Sequence, residues 1–254
     1  NALLLEPFIN QRVLAEVSGH SLGVVNRSLK ELIKAGYLNE AICPTAKAVA
    51  EYKNKTPKRA IILAAGFGMR TVPINTEMPK GLLEVNGEPL IERIIKQLHE
   101  VGIHEIYVIV DFMQEKYEYL MDEYGVELGV RRDYAAKNNL HSLRLVKEHL
   151  ENAYIVPCDI WCDRNPFHCH ELYSWYMVSD LVENESNVRV NRKMELVTVP
   201  ENAGGNAMVG ISYLIKEDAD TVSSRIEELC KKPQYDGSFW EEALYNKDRM
   251  IVAA

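Results

Sequence analysis

The chain has 254 residues, 47% of them hydrophobic and 26% charged, which suits a folded protein with one large and one small domain. No apolar run approaches the roughly 20 residues of a membrane span, and residues 1–9 show neither a basic n-region nor a cleavage site, so neither a helical membrane span nor a secretory signal is visible in these residues. The net charge of -8 is uneven: residues 1–58 hold eight Lys/Arg against five Asp/Glu, a net +3, and the remainder carries a net -11. An acidic domain that binds anions must concentrate its positive charge in the site. Five cysteines, an odd number, predict a reducing cytoplasm and buried free thiols. Cys158, Cys162 and Cys169 lie near His168 and His170, but their spacing fits no standard zinc finger. Asn1 at the start and an apolar run at 248–254 read as the cut ends of a longer protein.

Residues 1–52 read as helices only. Gln11 to Val17 is a short amphipathic helix, Ser18-Gly19-His20 a turn, and Ser21 a cap for a second helix from Leu22 to Ala35. That helix places Leu22, Val25, Leu29, Leu32 and Ile33 on one face, and Gly36 stops it. The pattern RxLAxxxGxSxxxVxRxLxxLxxxGYL, followed by Pro44-Thr45-Ala46-Lys47, resembles the winged helix-turn-helix of bacterial regulators. The resemblance implies that Ser21, Asn26, Arg27 and Lys30 face DNA from the recognition helix. The alternative is a small docking or dimerisation module, since a charge of +3 provides few phosphate contacts. Lys53 to Pro57 is polar and reads as a linker, so the expected domains are 1–55 and 56–254.

The most informative stretch is KRAIILAAGFGMRTVPINTEMPK, residues 58–80. Ala60 to Ala65 reads as a buried strand that runs into Gly66-Phe67-Gly68. A strand ending in a glycine-rich loop exposes successive backbone N–H groups, which suit phosphate oxygens. Leu63, Ala64, Ala65, Gly66, Phe67, Gly68 and Met69 are therefore candidate nucleotide contacts, and Arg70 and Lys80 add two positive charges. The loop is not a Walker A motif, because no GK[ST] follows. Nor is it a Rossmann GxGxxG, because Met69-Arg70-Thr71 stands at the third glycine. LAAGxGxR with Pro79-Lys80 about ten residues on resembles the signature of nucleotidyltransferases that join an NTP to a phosphorylated small molecule and release pyrophosphate.

Strands and helices alternate from there. Strands are expected at Ile61–Ala64, Leu82–Val85, Glu105–Val110, Val126–Val130 and Ala153–Pro157, with helices at Pro89–Val101, Gln114–Tyr124 and Leu140–Leu150. An Asn86-Gly87 turn follows the second strand. The fold class is therefore α/β, a Rossmann-like doubly wound mixed sheet with a small N-terminal winged-helix domain. Ligands of such sheets bind at the carboxyl ends of the strands, where Gly66 and Asp159 both fall. Beyond Asp163, strands at Tyr173–Asp180, Asn187–Val190, Met194–Val199 and Ala207–Ile215 predict an antiparallel part on the acceptor side. Helices are expected at Lys216–Lys231 and Ser238–Asn246.

Nucleotidyl transfer needs charge neutralisation on the triphosphate, in-line alignment and a divalent cation. Mg²⁺ takes oxygen ligands, one or two of them carboxylates. Asp159, after the strand AYIVP, stands where one such carboxylate belongs, and as a lone residue it equally suits a turn cap. Phe239-Trp240-Glu241-Glu242 resembles the aromatic-Trp-acid segment of these nucleotidyltransferases, which implies Glu241 as the second ligand; by composition alone it equally suits a solvated acidic helix start.

Pro89-Leu90-Ile91-Glu92, Gly102-Ile103 and the NNxxSL run from Asn138 to Leu143 extend the match. Together with the loop they resemble bacterial choline-phosphate cytidylyltransferases of the LicC type, over about residues 59–242. The resemblance implies CTP and phosphocholine as substrates, Mg²⁺ held by Asp159 and Glu241, and catalytic roles for Arg70, Lys80 and Asp159. It places Asn139 and Ser142 near the cytosine and ribose. Tyr173, Trp175, Tyr213 and Trp240 are candidate acceptor contacts, since a quaternary ammonium favours aromatic faces. Asn187-Val188-Arg189 replaces the family's Glu-Trp pair, and with Arg192 and Lys193 it opens the alternative of a sugar-1-phosphate nucleotidyltransferase. A regulator sensing a nucleotide or a choline metabolite is the alternative of a different class. A homodimer is one assembly open to the chain.

Overall fold

A computed structural model describes residue 3 and residues 7–65, 78–111, 113–130, 137–200 and 203–254. They fall into two compact units, residues 1–56 with 170–172, and residues 57–169 with 173–254. No helix among the described residues is long and apolar enough to cross a membrane.

In the smaller unit Asn10 caps α1 (Gln11–Ser18) by accepting the N–H groups of Arg12 and Val13. Ser21 caps α2 (Leu22–Lys34) by accepting from Val24 N–H at 3.4 Å. Thr45 caps α3 (Ala46–Asn54), so Lys53 and Asn54, read as linker, are helical. Between α2 and α3 a single antiparallel bridge, Leu38 to Pro44, is the whole of the wing among the described residues. Val25, Leu29 and Leu38 form the core. Leu22 and Leu32, expected in it, are 42% and 37% exposed. They lie at the edges of the apolar stripe, and so small a unit covers only its centre.

The larger unit is built on one mixed sheet in the order β5 (Glu127–Val130), β4 (Glu105–Val110), β1 (Arg59–Leu63), β6 (Ala153–Pro157), β10 (Gly205–Leu214), β7 (Trp175–Glu183), β12 (Arg249–Ala253), β9 (Glu195–Thr198), β8 (Val188–Val190). Its first half is parallel: β1 (Arg59–Leu63) pairs with β4 (Glu105–Val110) on one edge and β6 (Ala153–Pro157) on the other, and β5 (Glu127–Val130) pairs with β4. The short hairpin of β2 (Glu84–Val85) and β3 (Glu88–Pro89) stands apart, turned by Asn86 and Gly87, both at positive φ. The second half is antiparallel to β6 through β10 (Gly205–Leu214), which pairs with β7 (Trp175–Glu183). β8 (Val188–Val190) and β9 (Glu195–Thr198) form the far edge.

Alternation along the strands sends side chains to two cores. On one face Ala60, Ile62, Tyr154 and Val156 pack with α4 (Leu90–Glu100) and α5 (Tyr119–Tyr124). On the other, Ile61, Leu63 and Ile155 pack with α6 (Asn139–Arg144) and α7 (Lys216–Leu229). Glu92, from the Pro-Leu-Ile-Glu run, accepts hydrogen bonds from Tyr119 at 2.9 Å, Tyr124 at 2.6 Å and Lys96 at 3.3 Å. Burial raises its pKa, but the bonds from Tyr124, Tyr119 and Lys96 outweigh it and leave the carboxyl below its ordinary value.

Three helices differ from expectation. Gln114–Tyr124 divides into a 3₁₀ turn, Gln114–Tyr117, and α5. Leu140–Leu150 divides into α6 and a 3₁₀ turn, Lys147–His149. Ser238–Asn246 is no helix: a 3₁₀ turn, Trp240–Leu244, leads into β11 (Tyr245–Asn246), which turns back onto β12 (Arg249–Ala253). β12 then fills a place between β7 and β9, and sheet pairing overrides the helical preference of Glu241 to Leu244.

Candidate active site

The crevice lies at the carboxyl ends of β1 and β6. Leu63 and Pro157 are register partners, so Ala64 and Cys158 leave the sheet side by side. Ala64 N–H donates to Ile109 O at 2.8 Å and Cys158 N–H to Leu63 O at 3.2 Å, which carries the ladder past both strand ends. Residues 66–77 lie outside the described residues, and with them Gly66, Phe67, Gly68, Met69 and Arg70.

Lys80 opens the 3₁₀ turn Lys80–Leu82. Its Nζ donates to Asp159 Oδ2 at 3.1 Å. Gly81 is why the lysine reaches that place: a Cβ there would stand 3.2 Å from Cys158 Cβ and Tyr117 Oη and 3.3 Å from Cys158 Sγ. Burial pushes the Cys158 thiol well above its ordinary range, so it acts as packing and not as a nucleophile. The chain after Asp159 is clamped to α4: Gln97 Nε2 donates to Cys162 O at 2.9 Å and Arg93 Nη2 to Asp163 O at 2.8 Å. Arg93 also lies over the Trp161 ring, 5.2 Å from its centroid. The clamp had no signal in the sequence, because its acceptors are main-chain carbonyls.

Glu241 Oε1 accepts from Tyr176 O–H at 2.9 Å, and its buried Oε2 has no hydrogen-bond partner among the described residues. Burial pushes the carboxyl up to about 7, against its own backbone N–H and Tyr176. Among the described residues no group of three or more His, Cys, Asp and Glu is placed to hold a metal ion. Asp159 and Glu241 remain two hard oxygen donors, one partly exposed and one with an orphaned buried oxygen, a donor chemistry that fits a divalent cation. The cysteines are free, as expected, but Cys43 and Cys169 are exposed and not buried.

The aromatic residues do not make one cage. Tyr213 is fully buried against Tyr154, ring centroids 5.0 Å apart, with Trp175 on the same side of the sheet. Trp240 is buried in the opposite core beside Tyr176. Tyr173 is exposed ahead of β7. Burial in two separate cores removes Tyr213 and Trp240 from a shared acceptor pocket. Arg189, the cation behind the anionic-acceptor alternative, donates to Gly204 O at 2.7 Å and Ala203 O at 3.1 Å. Ser142 is fully buried, its hydroxyl without a partner among the described residues, and Asn139 is half-buried. In the smaller unit Arg27 and Lys30 are exposed on α2 and Lys34 continues their stripe. Asn26 is half-buried, and Ser21 spends its oxygen on the helix cap.

The doubly wound sheet, with Lys80 and Asp159 meeting at its carboxyl ends, defines a nucleotidyltransferase domain. Residues 60–167 match the MobA-like NTP transferase domain family, and residues 1–39 match a winged helix-turn-helix DNA-binding family. A choline-phosphate cytidylyltransferase of Streptococcus pneumoniae is 35% identical over 188 residues, covering 72% of this chain and 81% of that protein. A 2-aminoethylphosphonate cytidylyltransferase of Lancefieldella rimae is 29% identical over 78% of this chain and 84% of its own length. The solved structure of the Streptococcus pneumoniae CTP:phosphocholine cytidylyltransferase LicC superposes with a TM-score of 0.69 at 32% identity, covering 74% of this chain and 84% of that one. The chain belongs to the choline-phosphate cytidylyltransferase family.

Because the folded protein binds the Glu241 proton more tightly than the unfolded chain, its stability falls as pH rises from the ordinary 4.5 through about 7. Glu241→Gln removes that fall. In the presence of chelator the variant should match wild type at pH 4 and be more stable by on the order of 3 kcal/mol at pH 8. Thermal unfolding across pH checks this, and a pH-independent difference would refute the buried-carboxyl assignment.

Proposed function

We propose that this chain is a cytoplasmic, Mg²⁺-dependent cytidylyltransferase that joins CTP to phosphocholine and releases pyrophosphate. The observation that carries the reading is the Lys80–Asp159 pair, 3.1 Å apart beside the end of β1. The names of the relatives from Streptococcus pneumoniae supply the nucleotide and the acceptor.

In this reading the glycine loop and Arg70 hold the triphosphate, and Lys80 offsets charge at the transferring phosphates. A phosphate oxygen of the acceptor attacks the α-phosphorus in line. A new P–O bond forms, the α–β bridging bond breaks, and its electron pair leaves with pyrophosphate. Asp159 and Glu241 would hold the Mg²⁺, which supplies Lewis-acid neutralisation of the phosphates when bound. The commitment of Arg189 to two carbonyls favours a zwitterionic acceptor over a second anion such as a sugar phosphate. Trp175 and Tyr173 remain the aromatic candidates for its cationic end.

A second activity rests on the smaller unit, where Arg27, Lys30 and Lys34 make a basic stripe on a helix of the winged-helix match. We read it as a duplex-DNA contact made mainly through phosphates.

Two measurements test these readings. Pyrophosphate release with CTP and Mg²⁺ should require phosphocholine, exceed that with glucose 1-phosphate at least tenfold, and fall away with ATP, GTP or UTP. Release that is equal for the sugar phosphate would replace the acceptor. Binding of the chain to random duplex DNA should weaken steeply between about 50 and 200 mM salt, and Arg27→Ala with Lys30→Ala should abolish it. Retention of binding in that double variant would remove α2 as the contact.

A further inference from the structure

The Asn-Asn pair that opens α6 faces a segment about a hundred residues away in sequence. Asn138 N–H donates to Asp236 O at 2.8 Å, and Asn138 Nδ2 donates to Gly237 O at 3.1 Å. His141 Nε2 lies 2.9 Å from Asp236 Oδ1, with His141 buried. Trp240 N–H donates to Asn139 Oδ1 at 2.8 Å. Leu140 and Leu143 pack in the same core as Trp240, Ala243 and Leu244.

The last hydrogen bond has a specific job. Trp240 opens a 3₁₀ turn, and the first N–H groups of such a turn have no partner within it. Phe239, at the capping position, makes no side-chain cap. Asn139 supplies the missing acceptor from across the fold, so it caps this turn as a local Asn or Ser would cap its own. Glu241 is the next residue, and its carboxyl direction depends on where that turn begins.

We infer that Asn139 is a positioning residue that sets the Phe239-Trp240-Glu241 segment by capping Trp240, and does not read the nucleobase. The inference rests on the cytidylyltransferase reading for its kinetic consequence, and on the structure alone for the cap. The two roles differ in the atoms they use. A cap needs an acceptor oxygen, which Asp also has. An amide that reads cytosine uses its N–H₂ donor too, which Asp lacks.

The test uses the full chain with Asn139→Ala and Asn139→Asp. It reads kcat, KM for CTP, preference for CTP over UTP, and hydrogen exchange of the peptide that spans Trp240. Asn139→Ala should lower kcat about tenfold with KM and base preference within about twofold, and the Trp240 peptide should exchange faster. Asn139→Asp should restore both kcat and protection. Loss of cytosine preference in Asn139→Asp, or unchanged protection in Asn139→Ala, would overturn the inference. If wild type forms no CDP-choline, the exchange result still decides the cap, and only the substrate reading falls.

Discussion

The larger unit depends on β1 being paired on both edges by parallel strands and buried on both faces. Such a strand has no free edge and no wet face, so it offers chemistry only at its ends. Parallel neighbours point their carboxyl ends the same way. The chain order then matters: β4 lies on one side of β1 and β6 on the other, which opens a crevice where the direction of winding reverses. Lys80 and Asp159 come from opposite sides of that crevice in sequence and meet in space only because of this order.

The ion pair itself is a weak source of stability, since both side chains keep partial contact with water. Its geometry is held by uncharged neighbours. Gly81 lets the backbone beside Lys80 sit against Cys158 and Tyr117, and Gln97 and Arg93 tie the chain beyond Asp159 to α4. The same arrangement recurs on the other face, where Tyr176 and Asn139 hold the turn that carries Glu241. Lys80 and Asp159 thus sit at the rim and Glu241 inside, each aimed by hydrogen bonds or packing from behind. This is the arrangement that electrostatic preorganisation requires.

Most of the sheet was legible in the sequence. Ile61 to Leu63, Glu105 to Val110 and Ala153 to Pro157 are short apolar runs between turn residues, and each is a strand. The position of Asp159 followed from the last of them. What could not be read depends on partners distant in the chain. Glu241 to Leu244 has helical composition, but β12 needed a neighbouring turn. Tyr213 and Trp240 are aromatic for packing in separate cores, and alternation along a strand does not say which face a ligand uses. Asn139 matched a family pattern, while its oxygen is engaged by Trp240. Arg189 read as a free cation because carbonyl acceptors leave no trace in sequence.

The most direct test of this account is a double-mutant cycle on turnover at saturating CTP and phosphocholine, with Lys80→Ala, Asp159→Ala and the two combined, each checked for folding by thermal denaturation. If the two groups act as one unit at the transferring phosphates, each single change should lower turnover by about 100-fold or more. The double variant should then be no worse than the weaker single by more than about threefold. Losses that multiply, or unchanged turnover in either single variant with the fold intact, would contradict it.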